Sequence, residues 1–282
     1  VRAEPAAPAF QAVQGFPDEV NARLARFLAE TLSESGRKVA VFDGDGTVFG
    51  QVPHYLADEC LYQHAEAHPD RRPELVQAMA SKVNVSIPYV QDRVRYLAGL
   101  SLQEVRSLGV QCFRAHYADK FYPPMQALVA ALAAHGFEVW VVTGSPEALY
   151  QQFIADGLGI PMGRVLGVKS VIRHGLVTDE IVAPVPQDAG KLEAIETFIQ
   201  ERPLLVGGNS RGDREMIESS RGLKLIVNPD EHVEGGETES IAAHARREGW
   251  LTVRIRDVPE EGFPGVSSRV YGVRVNKTHP GP

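Results

Sequence analysis

The chain has 282 residues, 44% of them apolar and 23% charged, and a formal net charge of -7 at pH 7. This is the make-up of an ordinary globular protein long enough for a sizeable core, and it excludes disordered and fibrous classes. Non-specific affinity for nucleic acid is built from surplus Lys and Arg, so the acidic balance also argues against a nucleic-acid partner and leaves a small molecule as the default.

Residues 1–16 are rich in Ala and Pro and read as a loose leader. The opening VRAEPAAPAF has neither an initiator Met nor an apolar h-region, which reads as a mature or trimmed form. Val20, Leu24, Phe27, Leu28 and Leu32 then recur at helical spacing behind Pro17, Asp18 and Glu19, predicting a helix before the first strand. VAVF, residues 39–42, is that strand, and its unbroken apolar run belongs in a parallel sheet covered on both faces. From about 52 to 118 the pattern becomes helical with polar breaks, which predicts an inserted all-helical subdomain. The helix PPMQALVAALAAHG leads to a second buried strand in FEVWVVTGS, and SPEALYQQFIADGLG gives another helix. RVLGVKSVIRHGLVTDEIV reads as a short hairpin turning at His174-Gly175. GKLEAIETFIQ is a helix, PLLVGGNS a third buried strand, DREMIESS a helix and LKLIVNP a fourth strand.

The expected fold is therefore α/β, a Rossmann-like open parallel sheet with an inserted all-helical cap. The core spans 17–50 and 119–257, the cap 51–118, and the tail from Val258 to 282 has no clear period. No apolar run has the length to span a bilayer, so no membrane partner is expected. Cys60 and Cys112 are too few for a disulfide framework and read as reduced buried thiols. That favours the cytoplasm, with the periplasm as the alternative for a mature form. The sequence does not fix the oligomeric state.

Ligands of open α/β sheets sit beyond the carboxyl ends of the strands. Polar groups follow three of the buried strands: Asp43, Asp45 and Thr47 after VAVF, Thr143, Gly144 and Ser145 after VWVV, and Asn209 and Asp213 after LLVG. Lys191 opens a helix after Gly190 and joins them. Two aspartates so close together beside a core need a cation, and an oxygen-rich set of this kind suits Mg²⁺. Asp43 at the strand end is placed as a carboxylate nucleophile, and Asp45 as the acid for a leaving oxygen and later the base for water. Gly44 and Gly46 allow the turn and let backbone N–H groups approach a phosphate, while Thr143 and Lys191 hold its remaining oxygens.

The elements DGDGT, TGS, GK and GGNSRGD, in that order, resemble the four motifs of the haloacid dehalogenase superfamily, specifically its phosphatases. The similarity covers roughly residues 38 to 230, and the helical insert matches the cap of the phosphoserine-phosphatase-like branch. The resemblance implies that Asp43 forms an aspartyl-phosphate, that Asp45 is the acid/base, and that Thr143, Gly144 and Lys191 bind phosphate. It implies Mg²⁺ held by the Asp43 carboxylate, the Asp45 backbone carbonyl and the fourth motif. Members often carry Asp where aligning GGNSRGD by Asp213 puts Asn209, so either Asn209 or Asp213 is the direct ligand.

The expected activity is a Mg²⁺-dependent hydrolysis of a small phosphomonoester, phosphoserine-like or phosphorylcholine-like. Its alternatives are a phosphotransferase or phosphomutase, which would keep Asp45, and a catalytically weak phosphate-binding protein, suggested by Asn209. Dehalogenation fits less well, because a departing halide needs no acid. Ser145 reads equally as a phosphate contact and a helix N-cap. Cys60, His64 and His68 share one predicted helix face but lack a fourth zinc ligand, so a solvated face is the expectation. Most of the cap aromatics Tyr55, Tyr62, Tyr89, Tyr96, Phe113 and Tyr117 are expected in the cap core, with a minority, beside Arg93, Arg95 and Arg114, lining the entrance.

Overall fold

The computed structural model describes residues 8–257; the expected tail from Val258 lies outside the described residues, as do the first seven. Residues 8–16 form no regular element, yet Val13 and Phe16 of the expected loose leader are buried. Asn21 holds them, its Oδ1 accepting from the Val13 N–H at 2.8 Å and its Nδ2 donating back to the Val13 carbonyl at 3.1 Å. Asn21 lies on α1 (Asp18–Glu30), which buries Val20, Leu24, Phe27 and Leu28. Leu32 of the predicted stripe falls past the helix end and is exposed.

Strand β1 (Val39–Phe42) sits at the centre of the molecule. Its Ala40 and Phe42 pack into one apolar cluster and Val39 and Val41 into another, which is why VAVF has no polar alternation. Four helices follow with no strand among them: α2 (Leu56–Ala67), α3 (Pro73–Ala80), α4 (Ile87–Tyr96) and α5 (Leu102–His116). The core resumes with α6 (Pro123–Ala134), β2 (Glu138–Pro146) and α7 (Glu147–Leu158). Next come β3 (Val165–Arg173), β4 (Leu176–Val182) and the short α8 (Gly190–Ala194), which runs into a π-type turn over Ile195–Ile199. The chain continues through β5 (Leu205–Gly208), α9 (Arg214–Glu218), β6 (Leu223–Val227), α10 (Ile241–Arg247) and β7 (Leu251–Val253).

The seven strands form one open sheet in the order β4-β3-β2-β1-β5-β6-β7. All neighbours are parallel except β3 and β4. The hairpin at His174-Gly175 is thus not a separate excursion: β3 joins β2 in parallel and β4 closes that edge antiparallel. The order 2-1-5 around β1 puts the ends of the three motif-bearing strands side by side.

The helical insert is fastened to this sheet at several places. The Gly99 N–H donates to the Val177 carbonyl at 2.8 Å, and the Val177 N–H returns a bond to Leu100 at 2.9 Å. Helix α5 crosses α7 so closely that a Cβ on Gly109 would lie 1.8 Å from the Leu149 carbonyl oxygen. The two linkers of the insert run together, the Gly50 N–H donating to the Lys120 carbonyl at 2.8 Å. Asp257 grips both: its Oδ2 accepts from the N–H groups of Gln51 and Val52 at 2.7 and 3.0 Å, and its Oδ1 lies 2.6 Å from Lys120 Nζ. Among the described residues no helix is long and apolar enough to cross a membrane.

Candidate active site

The turn after β1 is made by its own backbone. The Asp43 N–H extends the sheet by donating to Gly207 at 2.9 Å, and the Thr47 and Val48 N–H groups fold back onto the Gly44 carbonyl at 3.1 and 3.0 Å. Gly46 has φ +80, and a Cβ there would stand 2.2 Å from Asn209 Nδ2, so both conformation and space demand glycine. The result carries Asp43 and Asp45 at the sheet edge, both buried.

Asp43, Asp45, Lys191 and Asp213 meet here, while Arg211 of the fourth motif turns away to Glu215 and Glu237. Lys191 Nζ lies 2.6 Å from Asp43 Oδ1 and 2.6 Å from Asp213 Oδ1, bridging the first, third and fourth motifs. The Thr47 hydroxyl donates to Asp43 Oδ2 at 3.1 Å. Burial raises the Asp43 carboxyl above the usual range, the charge of Asp213 adding to it and Lys191 opposing it. Burial works against the charge of Lys191 as well, but Asp213 and Asp43 outweigh it and keep the amine protonated. Asp45 accepts from the Tyr150 hydroxyl at 2.7 Å and from the Ser145 hydroxyl at 3.0 Å, one to each carboxylate oxygen. Burial raises its carboxyl too, with the Tyr150 hydrogen bond the largest opposing influence.

The second motif supplies Thr143, whose Oγ1 accepts from the Ser145 N–H at 3.1 Å and would lie 3.4 Å from a Cβ on Gly44. Gly144 is in close contact with Gln187, whose Oε1 would stand 2.2 Å from an added Cβ. Ser145 is neither a free phosphate contact nor an N-cap: α7 is preceded by Pro146, and the serine hydroxyl is spent on Asp45. In the fourth motif Asp213 Oδ2 accepts from the N–H groups of Asn209 and Ser210 at 2.9 and 3.3 Å, so both of its oxygens are engaged. The Asn209 side chain makes no hydrogen bond among the described residues and lies against Gly46.

The cap contributes a second polar group. Arg93 of α4 donates to Asp58 Oδ1 of α2 at 3.1 Å and to the Gly144 carbonyl at 3.0 Å, reaching from cap to phosphate loop. Tyr89 donates to the same Asp58 oxygen at 2.8 Å. Among the described residues Asp58 Oδ2, Arg93 Nε and Asn84 Nδ2 are buried without a hydrogen-bond partner, as is Arg71 Nε elsewhere in the cap, a state that either water or a ligand relieves. Tyr62, Tyr89, Tyr96 and Tyr117 are cap core, as expected. Asp58, Asn84 and Tyr150 escaped the sequence reading, because each stands alone inside a helical or loop segment with no motif around it.

Cys60 and Cys112 are buried free thiols. His64 stacks on His68 with ring centroids 4.1 Å apart and bonds the Tyr96 hydroxyl through Nδ1 at 2.8 Å. Among the described residues no group of three or more His, Cys, Asp or Glu side chains is arranged to hold a metal. At the sheet edge the oxygen-bearing side chains instead include the carboxylates of Asp43, Asp45 and Asp213 and the amide of Asn209. Asp43, Asp45, Asp58 and Asp213 are four buried carboxylates against the two buried cations Lys191 and Arg93. When all ionise, two negative charges remain in excess, an imbalance that bound protons or a bound cation would relieve.

Comparison with known proteins gives the family and the fold. The sequence profile of the haloacid dehalogenase-like hydrolases matches residues 40–218. A phosphoserine phosphatase, SerB1, of Mycobacterium tuberculosis is 26% identical over 167 residues, which cover 57% of this chain and 49% of that protein. The match thus spans about half the length of that relative. A conserved Anaerococcus prevotii protein of unknown function superposes with a TM-score of 0.65 at 14% identity, covering 90% of this chain and 97% of that one. A protein of unknown function from Bordetella pertussis gives a TM-score of 0.59 at 17% identity, covering 78% and 99%. At such identities these two structures speak for the fold alone.

Proposed function

Because this chain belongs to the haloacid dehalogenase-like hydrolases, we propose that it is a Mg²⁺-dependent phosphomonoester hydrolase working through an aspartyl-phosphate on Asp43. The observation that carries this reading is the pair of buried aspartates on one turn with opposite surroundings. Asp43 faces the Lys191 ammonium at 2.6 Å, whereas Asp45 is held by two hydroxyls. Lys191 favours the ionised form of Asp43 against the burial that raises its carboxyl, whereas Asp45, also raised by burial, has no ammonium bonded to it and takes up a proton once one of its hydroxyl donors turns to accept.

In the first half-reaction an Asp43 oxygen attacks phosphorus in line with the ester oxygen. The P–O ester bond breaks, and Asp45 gives its proton to the departing alkoxide. In the second, Asp45 takes a proton from water that attacks the aspartyl-phosphate, releasing orthophosphate and freeing Asp43. Lys191 and Thr47 fix the plane of the Asp43 carboxylate, and Thr143 with the Gly144 backbone receives the non-bridging oxygens. Bound Mg²⁺ would supply positive charge to the transferring phosphoryl group. Asp43, the Asp45 carbonyl and the Asn209 amide oxygen, whose side chain makes no hydrogen bond among the described residues, would hold it. Residues 51–118 act as the cap that excludes water from the first step.

The substrate we propose is a small phosphorylated metabolite with a polar leaving group. The unpartnered Asp58 oxygen calls for a donor or ammonium, and the Arg93 and Asn84 N–H groups for an acceptor such as a carboxylate. That combination favours a phosphoserine-like ester over a phosphorylcholine-like one, whose quaternary ammonium wants an aromatic cage. Phosphate release from phosphoserine, phosphorylcholine, sugar phosphates and an aryl phosphate, with and without Mg²⁺, tests this. Metal-dependent release led by phosphoserine supports the reading, and silence on every ester in Mg²⁺ overturns it.

A further inference from the structure

Helix α2 begins without a side-chain cap of its own. Its N-cap residue is Tyr55, which offers no acceptor to the first turn, and Ala57, the second helical residue, is fully buried. A buried first-turn N–H needs a partner from outside the helix. That partner comes from the core: the Ala57 N–H donates to the Tyr150 hydroxyl at 3.0 Å. The same hydroxyl spends its own proton on Asp45 Oδ1, 2.7 Å away. Tyr150 lies on α7, is fully buried, and has its ring set edge-on against Phe49 and Phe153. One oxygen therefore joins the first turn of the cap to the acid/base carboxylate, from a side chain with no room to turn away.

We infer that Tyr150 is a positioning residue that orients Asp45 for proton transfer only while the first turn of cap helix α2 is seated, so that docking of the cap and readiness of the acid are one event. The inference rests on the phosphomonoesterase reading above. With the cap seated, the Ala57 N–H occupies the acceptor face of the Tyr150 oxygen and leaves its proton aimed at Asp45. With α2 lifted, the hydroxyl loses the contact that fixes its rotor. The Ser145 hydroxyl holds the other Asp45 oxygen from the core side and lies within hydrogen-bond reach of the Tyr150 hydroxyl as well, so it steadies the same pair without touching Ala57.

The test is Tyr150→Phe, compared with wild type in Mg²⁺ on two esters whose leaving groups differ in their need of a proton. In single turnover, which reads leaving-group departure before the Asp45-assisted hydrolysis common to both esters, release of serine from O-phosphoserine, whose alkoxide must be protonated, slows about 10- to 100-fold. The burst of nitrophenolate from p-nitrophenyl phosphate, which departs as the anion, slows less than about threefold. Independently of turnover, amide exchange at Ala57 quickens by about tenfold or more. Tyr150→Met, a flexible filler of the same aromatic pocket without a hydroxyl, gives the same split if the Phe ring fails to seat. An equal loss in the leaving-group step of the two esters, or unchanged exchange at Ala57, overturns the inference. Wild type that hydrolyses neither ester overturns the phosphatase reading itself, a result distinct from wild type active on both with a variant that keeps their ratio.

Discussion

The oxygens of Asp43 are held from two sides, by Lys191 Nζ at 2.6 Å and by the Thr47 hydroxyl at 3.1 Å, so an amide in its place keeps most of the packing and loses the nucleophile. Asp43→Asn is expected to cut phosphate release by about 10³-fold or more while the folded far-UV signal is retained; wild-type turnover in this variant would remove Asp43 from the reaction. Asn209 poses a different question. Its amide is free of hydrogen bonds among the described residues and the oxygens of Asp213 are not, so a change at 209 should be read out in metal affinity. Asn209→Asp should lower the Mg²⁺ concentration for half-maximal turnover by about tenfold, by adding one charge to the site. An unchanged Mg²⁺ titration would move the ligand to Asp213 or to water. Asp43, Asp45 and Thr143 were legible in the sequence because strand ends announce themselves by a polar group after an apolar run, whereas Lys191 and Asp213 were legible through the GK and GGNSRGD elements. Tyr150 was not, since a buried Tyr one turn into a helix has the same appearance whether its hydroxyl touches solvent, backbone or a catalytic carboxylate.

Elements were legible to the degree that their pattern is local. β1, β5 and β6 are continuous apolar runs between polar turns, and the helices of the insert carry their own spacing and, for α5, a Ser101–Glu104 capping box. Strand β7 has three residues and α10 seven, too few for a period to emerge, and both are held by what they pack on. The crossing of α5 on α7 depends on Gly109, whose missing Cβ admits the Leu149 carbonyl. In sequence it is one glycine in a helical stretch. Gly109→Val must push the two helices apart, and overpacking of this kind costs about 1–3 kcal/mol. We expect a melting temperature lower by about 2–10 °C, together with faster proteolysis of the insert than of the core; a variant that melts with wild type would show that the crossing adapts. The clamp at Asp257 was illegible for a simpler reason, because its partner Gln51 is 206 positions away. Asp257→Ala leaves the Gln51 and Val52 N–H groups and Lys120 without that carboxylate, and cleavage by a limiting protease should appear first at residues 50–55. Cleavage confined to other segments would mean that the linkers hold without it.

At the scale of the whole molecule the fold concentrates charge where it can least be solvated. Parallel strands converge on one edge, the cap covers that edge, and four carboxylates end up buried with two cations. Hydrogen bonds from Thr47, Ser145, Tyr150 and Tyr89 soften the repulsion without neutralising it. With these carboxyls ionised, against the burial that raises Asp43, Asp45 and Asp58, metal-free protein carries a destabilising excess of negative charge at its centre, and a divalent cation should act on stability as well as on turnover. At about 100 times its dissociation constant, Mg²⁺ binding only the folded state adds about 2.7 kcal/mol, a rise in melting temperature of about 5–10 °C. KCl at matched ionic strength should not reproduce it, because screening reaches buried pairs poorly. Asp43→Asn separates this account from ordinary ligand stabilisation: removing one of the excess charges should raise the melting temperature in EDTA above that of wild type and at the same time abolish most of the Mg²⁺ shift. A variant less stable than wild type in EDTA would show that the ion pair with Lys191 outweighs the repulsion between carboxylates. Melting that ignores Mg²⁺ in both proteins would show that the cluster keeps itself neutral by holding protons, with no divalent cation required for its charge.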